Sequence, residues 1–198
     1  MRTRLASFFL ITLSLASQPS GGHVPPVATK VLSLFDRLRL ASEPNPRGAQ
    51  QHLAFQLSES EVNEYLKYSL KETPRPGLES VTVKFFPKNY VSTYSVIDFD
   101  AVERWKPGTI PKLLRAVLVG TKSVWVDYRF EINGGAGKFT VEKAYYQDVR
   151  IPALVVEKVI ATLAARQPEK YDTTKPLPLP FGLSKVWTTE RHAVAGEN

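Results

Sequence analysis

Cysteine is absent from the 198 residues, so no disulfide, thiolate nucleophile or thiolate ligand is available. That absence leaves the compartment open; it means only that the fold needs no bridges. Histidine is scarce. His23, His52 and His192 lie in a linker, a strand approach and the tail, and none has a second ligand at helical or hairpin spacing, which argues against a metal site. There is no Gly-x-Ser-x-Gly elbow, no phosphate loop and no dinucleotide fingerprint. Gly134-Gly135-Ala136-Gly137 precedes a strand pattern, so it presents no helix N-terminus to a phosphate. Asp98 with Asp100, and Asp127 with Glu131, are the spacings nearest to paired acids. Alternating acids on the wet face of a strand are the ordinary reading, and no catalytic residue or cofactor is nominated. The expectation is a protein that is not an enzyme.

Long apolar runs are also missing, with one exception. Arg2 and Arg4 precede the run Leu5 to Leu15, and Ser14-Leu15-Ala16 places small residues where a signal peptidase reads. The run is about half of what a bilayer span needs. Residues 1–16 are therefore read as an export signal, giving a periplasmic or secreted protein, and lipoprotein attachment is excluded for want of a cysteine. Losing Arg2 and Arg4 from the 26 basic residues leaves 24 against 19 acidic ones, a net charge of +5. That balance favours anionic partners such as lipid headgroups or cell-wall polymers. Without a nucleic-acid-binding motif, nucleic acid is not among the expected partners.

What is present is organised around residues 121–167. Val124, Val126, Tyr128, Phe130 and Ile132 alternate with Ser123, Trp125, Asp127, Arg129 and Glu131, the period of a half-buried strand. The glycine-rich stretch from Asn133 to Gly137 reverses the chain. A return strand sets Phe139, Val141, Lys143 and Tyr145 against Lys138, Thr140, Glu142, Ala144 and Tyr146. Pro152 then opens a helix striped by Val155, Val156, Val159, Ile160 and Leu163.

The flanking segments add to this unit. Residues 17–26 read as a linker. From Pro26 a helix is expected, with Val27, Val31, Leu34, Phe35 and Leu38 on one stripe. Leu53, Phe55 and Leu57 alternate as a short strand. Ser58 and Glu61 form a capping box for a helix carrying Val62, Tyr65, Leu66 and Leu70. Leu78–Phe86 and Tyr90–Phe99 read as a hairpin, and the second strand is partly apolar on both faces. Residues 104–122 carry Arg104, Lys106, Lys112, Arg115 and Lys122 beside Trp105, with an apolar set at Ile110, Leu113, Leu114, Val117 and Leu118. Two readings stand: a basic amphipathic helix resting on an anionic membrane, or a crossover helix covering the sheet. Lys175 to Pro180 is an extended strap leading to a last strand at Leu183–Thr189. Residues 27–190 thus form a single domain, and residues 191–198 are expected to be a flexible tail.

The run Leu57-Ser58-Glu59-Ser60-Glu61-Val62-Asn63-Glu64-Tyr65-Leu66, the hairpin from Gly77 to Asp100, the Gly137 to Pro152 strand with its following helix, and Leu179-Pro180-Phe181-Gly182-Leu183 together resemble the LmeA-like phospholipid-binding proteins of bacterial envelopes. More loosely they resemble the tubular lipid-binding (TULIP) superfamily. The resemblance implies a curved antiparallel sheet wrapped around a long helix, with acyl chains held in the apolar seam. No ligand-contacting signature carries over position by position.

The expected fold class is therefore α+β: a curved, mainly antiparallel sheet around the Pro152 to Arg166 helix, with additional N-terminal helices. The expected function is non-catalytic binding or shuttling of a lipid or other amphiphile in the cell envelope. Val126, Phe130, Phe139, Val141, Val155 and Val159 either line that seam or close a core. Trp105, Lys106, Lys112 and Arg115 are the expected membrane contacts. The alternative is a protein-interaction or scaffold module of the envelope, presenting Tyr90, Tyr94, Tyr146 and Trp187.

Overall fold

The structure, a computed structural model, describes residues 24–42, 54–108, 110, 112–165, 175–179 and 183–196. The expected export signal and residues 17–23 of the expected linker lie outside these residues. The fold is α+β with a mainly antiparallel, open sheet.

The chain enters through helix α1 (Pro26–Ser42), which buries Ala28, Val31, Leu34 and Leu38 along one stripe; Val27 stays exposed, off that stripe. A short strand β1 (Phe55–Ser58) leads into α2 (Glu59–Glu72). The start of α2 is fixed by its capping box: the Glu61 amide donates to the Ser58 hydroxyl, and the Ser58 amide donates to the Glu61 carboxylate. The ammonium of Lys30 on α1 reaches the same carboxylate, tying the two helices together. Burial alone would raise the Glu61 carboxyl, but the Lys30 and Ser58 hydrogen bonds outweigh it and hold the group below its ordinary value.

Strands β2 (Leu78–Phe86), β3 (Tyr90–Asp98), β4 (Thr121–Asn133), β5 (Ala136–Tyr146) and β6 (Val149–Ile151) follow one another in space as they do in sequence, each antiparallel to the last. Helix α3 (Phe99–Trp105) interrupts between β3 and β4, and α4 (Ala153–Ala165) follows β6. A two-residue strand β7 (Leu177–Pro178) adds to β5 beside Ala136 and Gly137, and Leu179 donates its amide to Gly135. The extended strap expected there is present.

The inner face of this sheet carries Val81, Val83, Phe85, Val91, Tyr128, Phe130 and Val141, and helices cover it from two sides. Helices α1 and α2 pack over the β2 side, and α4 packs on β5. As a free edge, β2 would expose unpaired amides. Instead the Asn63 side chain donates to the Val83 carbonyl and accepts from its amide, at 2.9 and 2.7 Å, while Glu59 accepts from Phe85.

Three expectations are corrected. First, the residues taken as a flexible tail contain strand β9 (His192–Gly196), the middle strand of a second, three-stranded sheet between β1 and β8 (Lys185–Thr189). Arg191 adopts φ +60 to turn the chain, and Ala193 and Ala195 bury their small side chains. Second, the described residues of 104–122 form neither the short amphipathic helix nor the crossover helix considered. Helix α3 ends at Trp105, and beyond it a single 3-10 turn at Lys112–Leu114 is the only helical piece among the described residues of this segment. Pro107 and Pro111 cannot supply helical amides. The Glu103 carboxylate instead gathers the amides of Gly108 and Ile110 and the Arg115 guanidinium. Third, β5 does not alternate strictly. Asp127 pairs with Lys143 but Tyr128 with Val141, so Glu142 is an extra residue in a bulge. Beyond it the faces exchange, which buries Ala144 on the inner side.

Candidate functional site

Two separate hydrophobic clusters occupy the inner face. The larger joins α1 and α2 to β2 and takes in Tyr128, Phe130 and Ile132. The smaller joins Val141 and Ala144 to Val156 of α4, with Val126, Phe139, Ile151 and Ala153 against it. Of the expected seam residues, Val126, Phe139 and Val141 therefore meet around α4. Phe130 belongs to the other cluster, edge-on to Tyr128 at 5.2 Å between ring centres. Val155 is half-buried on α4, while its neighbour Val156 is the buried one. The side chain of Val159 lies outside the described residues.

Between the clusters runs a strip of β3 and β4 on which Thr93, Ser95 and Val124 belong to neither. Thr93 pairs with Val126, Ser95 with Val124 and Val91 with Tyr128, so these side chains share the inner face. Thr93, Ser95, Val124 and Val126 are all half-buried. The only polar pair described on this strip is Thr93 with Tyr128, their hydroxyls 3.0 Å apart. Burial raises the Tyr128 phenol, so it stays protonated and hydrogen-bonding at any ordinary pH. Sequence reading found the valines but missed Thr93 and Tyr128 as a pair. The partly apolar character of both β3 faces was the available signal.

At its far end the strip reaches Val124, which pairs with Tyr146. The Tyr146 hydroxyl donates to the Val117 carbonyl at 2.6 Å, and its ring meets Phe99 at 5.9 Å. Exposed apolar side chains lie on the segments leading to and from this end: Val117 and Val119 in the loop, Val149 opposite Tyr146, Leu154 at the start of α4, and Trp105 at the end of α3. The four expected membrane contacts are in this loop region, all exposed: Trp105, Lys106 at the α3 C-cap, Lys112 in the 3-10 turn, and Arg115. Arg115 is not a loose cation, because Glu103 holds it at 2.7 Å.

Two of the acids flagged in the sequence, Asp98 and Asp127, have structural partners. Asp98 caps α3 through the amides of Asp100 and Ala101, and Asp127 accepts from the Trp125 indole. The aromatics of the interaction-module alternative are dispersed. Tyr90 and Tyr94 lie on the outer sheet face, Tyr146 on the inner face, and Trp187 on the small sheet. Among the described residues no group of three or more His, Asp or Glu is arranged to hold a metal ion, and no helix is long and apolar enough to cross a membrane.

No protein-family model, curated protein or solved structure matches this chain.

Proposed function

We propose that this protein is an exported, non-catalytic carrier that binds or shuttles a lipid or other amphiphile in the cell envelope. The observation that supports this reading is the half-buried strip between the two hydrophobic clusters. A closed core would merge them; here Val124 and Val126 keep some exposure on a face otherwise covered by helices. Acyl chains would lie along those valines with α4 as one wall, and the Thr93–Tyr128 hydroxyl pair would meet a polar group of the ligand. On this reading the sheet curves around α4, as the resemblance to LmeA-like and tubular lipid-binding proteins implies. The exposed apolar end at Trp105, Val117 and Val119, with Lys106, Lys112 and Arg115, would rest on an anionic membrane while ligand passes.

Native mass spectrometry of the protein purified from an exporting host, followed by organic extraction, tests this reading. A stoichiometric amphiphile should be found. An apo mass that no added phospholipid shifts overturns the carrier. Val126→Trp should fill the strip and abolish phospholipid uptake while the denaturation midpoint stays near that of the parent protein. If the strip were closed core, the same change would instead cost about 1–3 kcal/mol by overpacking.

A further inference from the structure

The opposite, outer face of the sheet carries a separate construction. Thr82, Tyr94, Trp125, Tyr145 and Arg150 pair in register, one from each of β2 to β6, so they form a single row across the strands. Its centre is three adjacent aromatic rings. With strands about 4.8 Å apart, Tyr94 to Tyr145 spans about 10 Å, comparable to about two linked pyranose rings. Tyr94 and Trp125 are 47% and 46% exposed, high for large aromatics in the middle of a sheet.

The central ring is held in place. The Trp125 indole N–H donates to the Asp127 carboxylate at 2.7 Å and to the Ser92 hydroxyl at 2.5 Å, and both acceptors belong to the next row along the strands. An indole tethered that way is held along β4 while nearly half of it stays open to water. Ser92 and Asp127 are each only 6% exposed, so the anchor is built into the sheet. Tyr90 faces the same carboxylate, and burial together with that charge pushes its phenol up to about 12. Donation to a charged acceptor polarises the indole and enriches its π face. Tyr145 adjoins it at 5.9 Å between ring centres, tilted by 43°.

The rim is basic. Lys84 pairs with Ser92, Lys143 with Asp127 and Arg150 with Tyr145, and all three side chains are exposed. Of the nearby acids, Asp127 is buried under the indole and Glu142 is held by Arg129 at 2.6 Å. An open aromatic row suits the C–H faces of sugar rings, whose partial positive charge complements the π cloud. A quaternary ammonium group would instead want a cage and an acidic rim.

We propose that the Tyr94–Trp125–Tyr145 row is a binding platform for an acidic polysaccharide, lying across the strands with its carboxylates toward Lys84, Lys143 and Arg150. The site is independent of the inner-face strip, so it stands or falls apart from the carrier function.

Native affinity electrophoresis in gels containing alginate, polygalacturonate or hyaluronate, with neutral hydroxyethylcellulose as the control, tests it. At least one acidic polymer should retard the protein more than the neutral one does. Tyr94→Ala should weaken that retardation about fivefold to tenfold, the loss of one stacked ring. Lys143→Glu should weaken it too. Both substitutions are at exposed positions and should leave the denaturation midpoint unchanged. Trp125→Phe keeps a ring but loses the anchor, and should remove the tryptophan fluorescence change on addition of alginate oligosaccharides. Absence of retardation by every acidic polymer, retardation indifferent to Tyr94→Ala, or a Trp125 signal produced by phosphatidylcholine vesicles and not by oligosaccharide would each overturn the proposal.

Discussion

At Gly77 the backbone takes φ +83, and a Cβ built there would lie 2.3 Å from Val102 Cγ2 and 2.6 Å from the Asp98 carbonyl oxygen. Both the left-handed conformation and the contact with α3 reject a side chain. Gly77→Ala should therefore cost at least about 1–3 kcal/mol, read as a lower urea midpoint. Glu61 makes a pH-dependent contribution. Its carboxyl is held below the ordinary value in the native state, so its stabilising effect is fully present above about 4.3, the unfolded value. The effect is lost as pH falls through the lower native value. Urea midpoints of the parent and Glu61→Gln should differ at neutral pH and converge in acid. A gap that persists in acid would mean that Glu61 acts through packing alone. The Ser58–Glu61 box was legible in the sequence because capping is a contest within one turn of chain, decided by residues three apart. The role of Lys30 was not, since it lies 31 residues away along the chain.

Helix α2 does two jobs for strand β2: it buries Val62, Tyr65 and Leu66 under it, and through Asn63 and Glu59 it satisfies the edge amides. Asn63→Ala should cost about 1–3 kcal/mol by leaving Val83 unpaired, and should raise the tendency to self-associate through the bare edge. Denaturation midpoints and sedimentation at rising concentration would show both. The elements themselves were readable to very different degrees. The β4 alternation and its turn at Gly134 and Gly135 follow from local pattern and positive φ, and they form as expected. The Glu142 bulge was invisible, because counting by twos assumes that every residue has an opposite number. The segment after α3 was misread because Ile110, Leu114, Val117 and Leu118 keep helical spacing while Pro107 and Pro111 forbid the hydrogen bonds. As to the candidate site, the apolar strip residues were visible as a period-2 pattern. Whether they merge into one core depends on how far apart α2 and α4 sit, which no local pattern encodes.

The two sheets share the larger hydrophobic cluster, to which Leu57, Ala193 and Ala195 belong, and polar bonds tie them further. The Asn89 side chain accepts from the Thr188 amide, Thr188 donates its hydroxyl to the Phe86 carbonyl, and the Arg191 amide reaches Phe85. Asn89 itself adopts φ 58 in the β2–β3 turn, a conformation asparagine tolerates well. Because β9 is the middle strand of its sheet, Val194→Pro should remove ladder bonding and cost at least about 2–3 kcal/mol. Loss of native Trp187 fluorescence at lower urea would report it. A parent-like midpoint would mean that β9 is dispensable. That strand escaped the sequence reading because His-Ala-Val-Ala-Gly is short and poor in β-branched residues. Its strand character comes from partners, not from propensity.

The pairing of Phe55 with Ala195 also sets a clock. The two residues are separated by nearly the whole described chain, so closing β1 against β9 is among the last and entropically dearest steps of assembly. During synthesis the helices and the meander of β2 to β6 can form in order as they emerge. The small sheet has to wait for its final strand, and until then β1 lacks its partner. Under the proposed export, the small sheet would be completed only once β9 has crossed, so the fold gains its second sheet on the far side.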